Sequence, residues 1–186
     1  KIVGIARIND IITFIIFELF SLAKFFAEKN AKKSAIIEPI IVEKIKQYKK
    51  DNQDVIFTKD THYTNYLTTR EGKHLPVEHC IIDSEGHALY GKVADYEKDA
   101  KKVFNKTTFG SRELAKYISR SDYEEVEFCG LVSNICVLSN IIMTQTFNEK
   151  VEIFVDLKAT KGLSEEVDSS FKTYLQNITR DGSSAA

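Results

Sequence analysis

Cys136 closes the stretch Gly130-Leu131-Val132-Ser133-Asn134-Ile135-Cys136, a glycine-led run that opens a long apolar segment. A cysteine in the first turn of a helix feels the positive end of the helix dipole, which lowers its pKa and enriches the thiolate. The residues just before it are placed to aim backbone N–H groups at a developing oxyanion. Most free cysteines are small buried hydrophobes, and Cys80 and Cys129 read that way. Lys106, in Asn105-Lys106-Thr107-Thr108-Phe109, is one lysine among many until it is set beside Cys136. There it would hold a thiolate as an ion pair or pass a proton. Asp60-Thr61-His62 puts two ligand-type side chains on one side of an extended segment, and Pro76-Val77-Glu78-His79 supplies a third. One carboxylate and two imidazoles leave coordination positions open for water or substrate, the pattern of a catalytic metal site. Zinc, iron and manganese all suit that donor set. His74 and His87 are alternatives to His79 on spacing alone.

Such groups act together only if the chain brings them to one place. Short apolar runs at Ile2–Ile8, Asp54–Thr58, Glu125–Gly130 and Val151–Val155 read as strands buried on both faces. Between them lie stretches of helical spacing. Ile41, Ile45 and Tyr48 share one face of Ile40–Tyr48, Ser111 caps a helix carrying Leu114, Tyr117 and Ile118, and Ser164 opens a last helix with acids in its first turn. Asn134–Phe147 is apolar nearly all round, so it reads as a buried helix. The alternation predicts an α/β fold: three layers, α/β/α, around a mostly parallel, Rossmann-like sheet with the strand before Leu131 central. Ligands in such sheets sit at the carboxyl edge. Asn9-Asp10, Asp60 with His62, and the loop to Cys136 each follow a predicted strand, and Lys106 follows the apolar Val103–Phe104 segment, so all converge on that rim.

The 186 residues carry 26 basic and 27 acidic side chains. That balance gives no electrostatic case for nucleic acid or an anionic membrane as partner. The longest apolar run falls well short of the ~18 residues a bilayer span needs, and no secretion signal is expected. Three cysteines are too few for a disulfide scaffold, which points to a reducing cytoplasm. The length predicts a single domain over residues 1–186.

Thr58-Lys-Asp60-Thr-His62, then Leu75-Pro76-Val-Glu-His79-Cys80, then Lys106, then Cys129-Gly-Leu-Val-Ser-Asn-Ile-Cys136-Val137 resemble the isochorismatase-like cysteine hydrolases, and within them the nicotinamidases. The resemblance runs from about Glu38 to Leu175, with four motifs in family order. It implies an Asp–Lys–Cys triad that attacks an amide carbonyl, a cis peptide at Leu131–Val132, and an oxyanion hole built from the Val132 and Cys136 amides. It also implies a divalent metal, zinc before iron or manganese, on Asp60, His62 and His79. The expected reaction is hydrolysis of nicotinamide to nicotinate and ammonia through a thioester, a step of NAD salvage. Alternatives are another small amide or ureido substrate, or a non-catalytic small-molecule binder on the same fold; a homo-oligomer is compatible with either.

The chain departs from the family in several places. Aligned on Asn9-Asp10, the position of the triad acid holds Ala6, leaving Asp10 to take its place. Residues 9–37 are atypical, with the apolar run Ile11–Phe20 and a lysine-rich stretch where the family has a short loop. There is no tryptophan, so the aromatic wall against a pyridine ring falls to Tyr63 or Tyr66. Two residues rather than one separate Pro76 from His79, an insertion that bears on where the histidine sits, while Asp60, His62 and His79 are still expected to converge. The tail from Asp181 lacks a closing apolar strand.

Overall fold

A computed structural model describes residues 12–17 and 24–181, with side chains from 32 to 179. Six strands form one parallel sheet. They are β1 (Ile12–Phe17), β2 (Asp54–Asp60), β3 (Lys102–Lys106), β4 (Glu125–Leu131), β5 (Glu152–Lys161) and β6 (Arg180–Asp181), in the order β3-β2-β1-β4-β5-β6. All but the first residue of β2 and of β4 are buried, as expected of inner strands covered on both faces.

The first described strand lies downstream of the run Ile2–Ile8. Ile2–Ile8 lies outside the described residues, and the strand between β2 and β4 is drawn from the run that reads as atypical. Ile-Thr-Phe-Ile-Ile-Phe is uncharged, β-branched and aromatic, the composition demanded by a central parallel strand. Its last residue, Phe17, pairs with Thr58 on one side and Gly130 on the other, which sets the carboxyl edge. Arg180–Asp181 pairs with Phe154–Val155 as a two-residue edge strand held by its backbone, and the tail beyond it lies outside the described residues.

Helices cover both faces. α3 (Arg112–Ser119), α4 (Leu138–Phe147) and α5 (Glu165–Leu175) press Leu114, Ile118, Ile141 and Phe171 onto Val126 and Phe128. On the other face α1 (Lys24–Lys50) and a 3₁₀ stretch, Gly91–Asp99, pack Ile37, Ile41, Ile45 and Val93 against Val55 and Phe57. Each fully buried aliphatic side chain contributes about 1.5–3 kcal/mol. A polar anchor fixes α1 on the sheet: Lys44 Nζ lies 2.8 Å from Glu127 Oε1 and 2.9 Å from Asp156 Oδ2, and Tyr48 donates to Glu127 Oε2 at 2.5 Å. No helix among the described residues is long and apolar enough to cross a membrane.

Candidate active site

Asp60 and Lys106 end adjacent strands and are register partners, so their side chains leave the sheet together at its carboxyl edge. The Lys106 ammonium donates to Asp60 Oδ1, lies 3.4 Å from the Thr108 carbonyl, and stands 3.6 Å from Cys136 Sγ. Asp60 Oδ2 is 4.0 Å from the same sulfur. All three residues are at most 5% exposed, so their charges meet with little screening.

Cys136 reaches this place through the loop that leaves β4. Gly130 adopts φ +119°, a conformation side-chain-bearing residues rarely take, and Leu131–Val132 is a cis peptide. The chain then enters a π-helical turn, Ser133–Val137, whose Val137 N–H donates to the Val132 carbonyl at 3.2 Å, before continuing as α4. Asp168 of α5 anchors the turn, accepting from the Ser133 hydroxyl at 3.2 Å and the Gly162 N–H at 2.5 Å. The thiol is not activated in the way the helix-terminus argument expects. Burial pushes it up to about 11, against which Lys106 and a backbone hydrogen bond from Val132 pull down and Asp60 pushes further up. A raised pKa favours the protonated thiol, so a base is needed to take its proton as it attacks.

Beside this triad, Asp60, His62 and His79 form a buried group whose ligand atoms lie within 4.8 Å of one another. The extra residue before His79 therefore does not displace it. A parallel bridge between His62 and Ile81, with His62 N–H donating to the Cys80 carbonyl at 2.9 Å, lays the two segments side by side. His79 Nδ1 bonds the Val77 carbonyl at 2.7 Å, which turns Nε2 inward as a lone-pair donor. His74 is exposed, and His87 is engaged with Thr61 Oγ1 at 2.8 Å.

Glu71 is a residue the sequence reasoning missed. It lies in the first turn of α2 (Arg70–His74), which Thr69 caps by accepting from the Gly72 N–H, so from sequence it reads as a helix-dipole acid. In the fold its Oε1 lies 3.4 Å from His62 Nε2 and 3.6 Å from His79 Nε2. His62 Nε2 and Glu71 Oε1 are buried yet neither makes a hydrogen bond. Two orphaned polar atoms within a carboxylate–imidazole group are what a divalent cation would satisfy, so the donor set fits a metal. Burial alone would raise the Glu71 pKa, but the two imidazoles outweigh it and hold the carboxyl at about 2. His79 is raised, with burial opposing and Glu71 prevailing.

The two tyrosines separate. Tyr66 is fully buried, its ring 4.6 Å from that of His62 and 4.9 Å from that of His79, and its hydroxyl donates to the Leu75 carbonyl at 2.9 Å. It packs against both histidines rather than offering a free face to a substrate. Tyr63 is 53% exposed. Asp10, expected as the triad acid, lies outside the described residues; among those described, Asp60 carries the carboxylate in contact with the thiol.

The isochorismatase-domain family model matches residues 15–180. No curated protein sequence matches the chain. Among solved structures, the pyrazinamidase/nicotinamidase of Streptococcus mutans superposes with a TM-score of 0.80 at 22% identity, covering 91% of this chain and 99% of its own. The nicotinamidase/pyrazinamidase of Bacillus subtilis gives 0.78 at 21%, covering 91% and 98%. The Pyrococcus horikoshii pyrazinamidase, solved in complex with zinc, gives 0.74 at 20%, covering 92% and 98%. At these identities the likeness establishes the α/β fold.

Proposed function

The chain belongs to the isochorismatase family, and on that premise we propose that it is a cysteine amidohydrolase converting nicotinamide, or a close heteroaryl carboxamide, to the acid and ammonia. One observation carries this reading: a buried lysine ammonium held between a carboxylate and a thiol, 3.6 Å from the sulfur, at the rim where a strand end gives way to a helix.

In this reading each residue takes a distinct role. Cys136 gives its proton to a carboxylate, Asp60 Oδ2 being within reach, and Sγ attacks the carboxamide carbon. The Val132 and Cys136 amides receive the oxyanion. The tetrahedral adduct collapses, the protonated nitrogen leaves as ammonia, and water cleaves the thioester to the free acid, returning the proton to sulfur. Lys106 balances the negative charge that passes among Asp60, Sγ and the adduct. Asp60, His62 and His79, with Glu71 beside them, would hold a divalent ion, zinc foremost. When bound, such an ion supplies Lewis acidity and a coordination point for a ring nitrogen or water. The chain's contribution at that point is orientation, worth more than any single charge if it brings the carboxamide into line with Sγ.

The test is ammonia release from nicotinamide, with pyrazinamide and a ureido amide run beside it. Release from the heteroaryl amides supports the reading. Release from the ureido compound alone moves the substrate class, and release from none favours a binder.

A further inference from the structure

Asn140 lies in the first turn of α4 and is 1% exposed, buried beside Ile141 and Thr144 of the same helix. Its side chain bonds three backbone groups. Oδ1 accepts from the Ser111 N–H at 2.8 Å. Nδ2 donates to the Phe109 carbonyl at 3.1 Å and to the carbonyl of Cys136 at 2.7 Å. The amide has only one sensible orientation, because turning it over would set its oxygen against two carbonyls and its NH₂ against an N–H.

Those three groups belong to the two pieces of chain that carry the reactive pair. Cys136 holds the nucleophile. Phe109 and Ser111 belong to the loop that leaves Lys106, and Thr108 in that loop offers its carbonyl to the Lys106 ammonium. Ser111 also caps α3, its Oγ accepting from the Leu114 N–H at 3.1 Å. Gly110 runs so close to α4 that a Cβ there would meet the Met143 sulfur, so the loop already lies flat on the helix. We infer that Asn140 is a positioning residue, clamping the loop beyond Lys106 to the turn that carries Cys136 and so setting the distance between ammonium and sulfur. A lysine stem has four rotatable bonds and no preference for one rotamer in this role. Its head is placed by what it bonds to, and one of those acceptors stands on a loop that Asn140 holds.

The catalytic meaning of this clamp rests on the proposed amidohydrolase reading, but the clamp has a readout that needs no substrate. Asn140→Asp keeps size and the acceptor for Ser111 while setting a carboxylate oxygen against two carbonyls; Asn140→Ala removes all three bonds. Alkylation of Cys136 by iodoacetamide, located by peptide mapping, is expected to slow about tenfold or more in both, a loss typical of reacting groups displaced by an ångström or less. Turnover of nicotinamide should show the same fall in kcat with KM within about twofold, because the clamp holds the backbone that carries the reacting atoms and not the ligand. Ile153→Val, in β5, serves as a control that destabilises the core away from the rim. The inference is overturned if the Asn140 variants alkylate within about twofold of the parent protein while losing thermal stability like the control. It is equally overturned if KM rises with kcat unchanged, or if both variants fail to fold, which would assign Asn140 to the fold. Absence of ammonia release by the parent protein would reject the amidohydrolase reading and leave the alkylation comparison to decide this one.

Discussion

Replacing Lys106 by methionine removes the ammonium that faces Cys136 while keeping an unbranched stem. With charges 3.6 Å apart and an effective dielectric constant near 20, its attraction for a Cys136 thiolate is about 5 kcal/mol. Asp60 Oδ2, 4.0 Å from the same sulfur, opposes it with about 4 kcal/mol. The two nearly cancel, which leaves burial to dominate and accords with a thiol at about 11. The balance makes the single substitutions opposite in sign. Lys106→Met should lower the thiolate population at fixed pH by about 10³-fold, and Asp60→Asn should raise it by a similar factor, at about 1.4 kcal/mol per tenfold. The double variant should return near the parent rate. The assay is the iodoacetamide alkylation rate of Cys136 from pH 7 to 10. In the parent it should climb about tenfold per pH unit without a plateau, because the pKa lies above that range. A Lys106→Met rate within about threefold of the parent, or an Asp60→Asn variant that reacts more slowly, would refute the electrostatic account.

Other expectations follow from the same geometry. Glu71→Gln should release zinc more readily than the parent in chelator competition, since Glu71 faces both histidine Nε2 atoms; unchanged retention would remove it from the site. In metal-stripped protein the Glu71 carboxyl, held at about 2, contributes stability above its unfolded pKa near 4.5 that is lost as pH falls toward 2. His79, raised, contributes stability below about 6.5 that is lost as pH rises through its higher folded value, and thermal melts across both windows should show the first slope vanish and the second shrink in Glu71→Gln. Tyr66→Leu should loosen both histidine rings and weaken zinc retention, whereas Tyr66→Phe, which loses only the bond to the Leu75 carbonyl, should do so less; equal retention in both would make Tyr66 mere filler.

What is legible in the sequence is what local rules govern. Apolar runs alternating with helical spacing determine a parallel sheet, and a parallel sheet collects its strand ends, so Asp60, His62, Lys106 and Cys136 can be brought to one rim before any coordinates exist. The strand Ile12–Phe17 is less legible, because its apolar run stands where the family pattern has a short loop. Glu71 is hidden because an acid in a capped first turn already has a sufficient local explanation. Tyr66 is hidden because an aromatic near a metal motif reads equally as substrate wall or as packing. The Cys136 thiol illustrates the limit most plainly: the helix terminus is a local feature, but burial is a property of the assembled fold, and burial wins. Asn140 is one of several polar residues in its helix, and nothing in the sequence marks it as the one bonded to the loop beyond Lys106.

The central claim, a thioester on Cys136, is tested most directly by acid-quenching the protein during turnover of nicotinamide and mapping the covalent adduct by peptide mass. The account predicts a nicotinoyl group on the peptide containing Cys136, chased to nicotinate on further incubation and absent, together with ammonia release, in Cys136→Ala. Ammonia release with no adduct at Cys136, or undiminished release by Cys136→Ala, would contradict it.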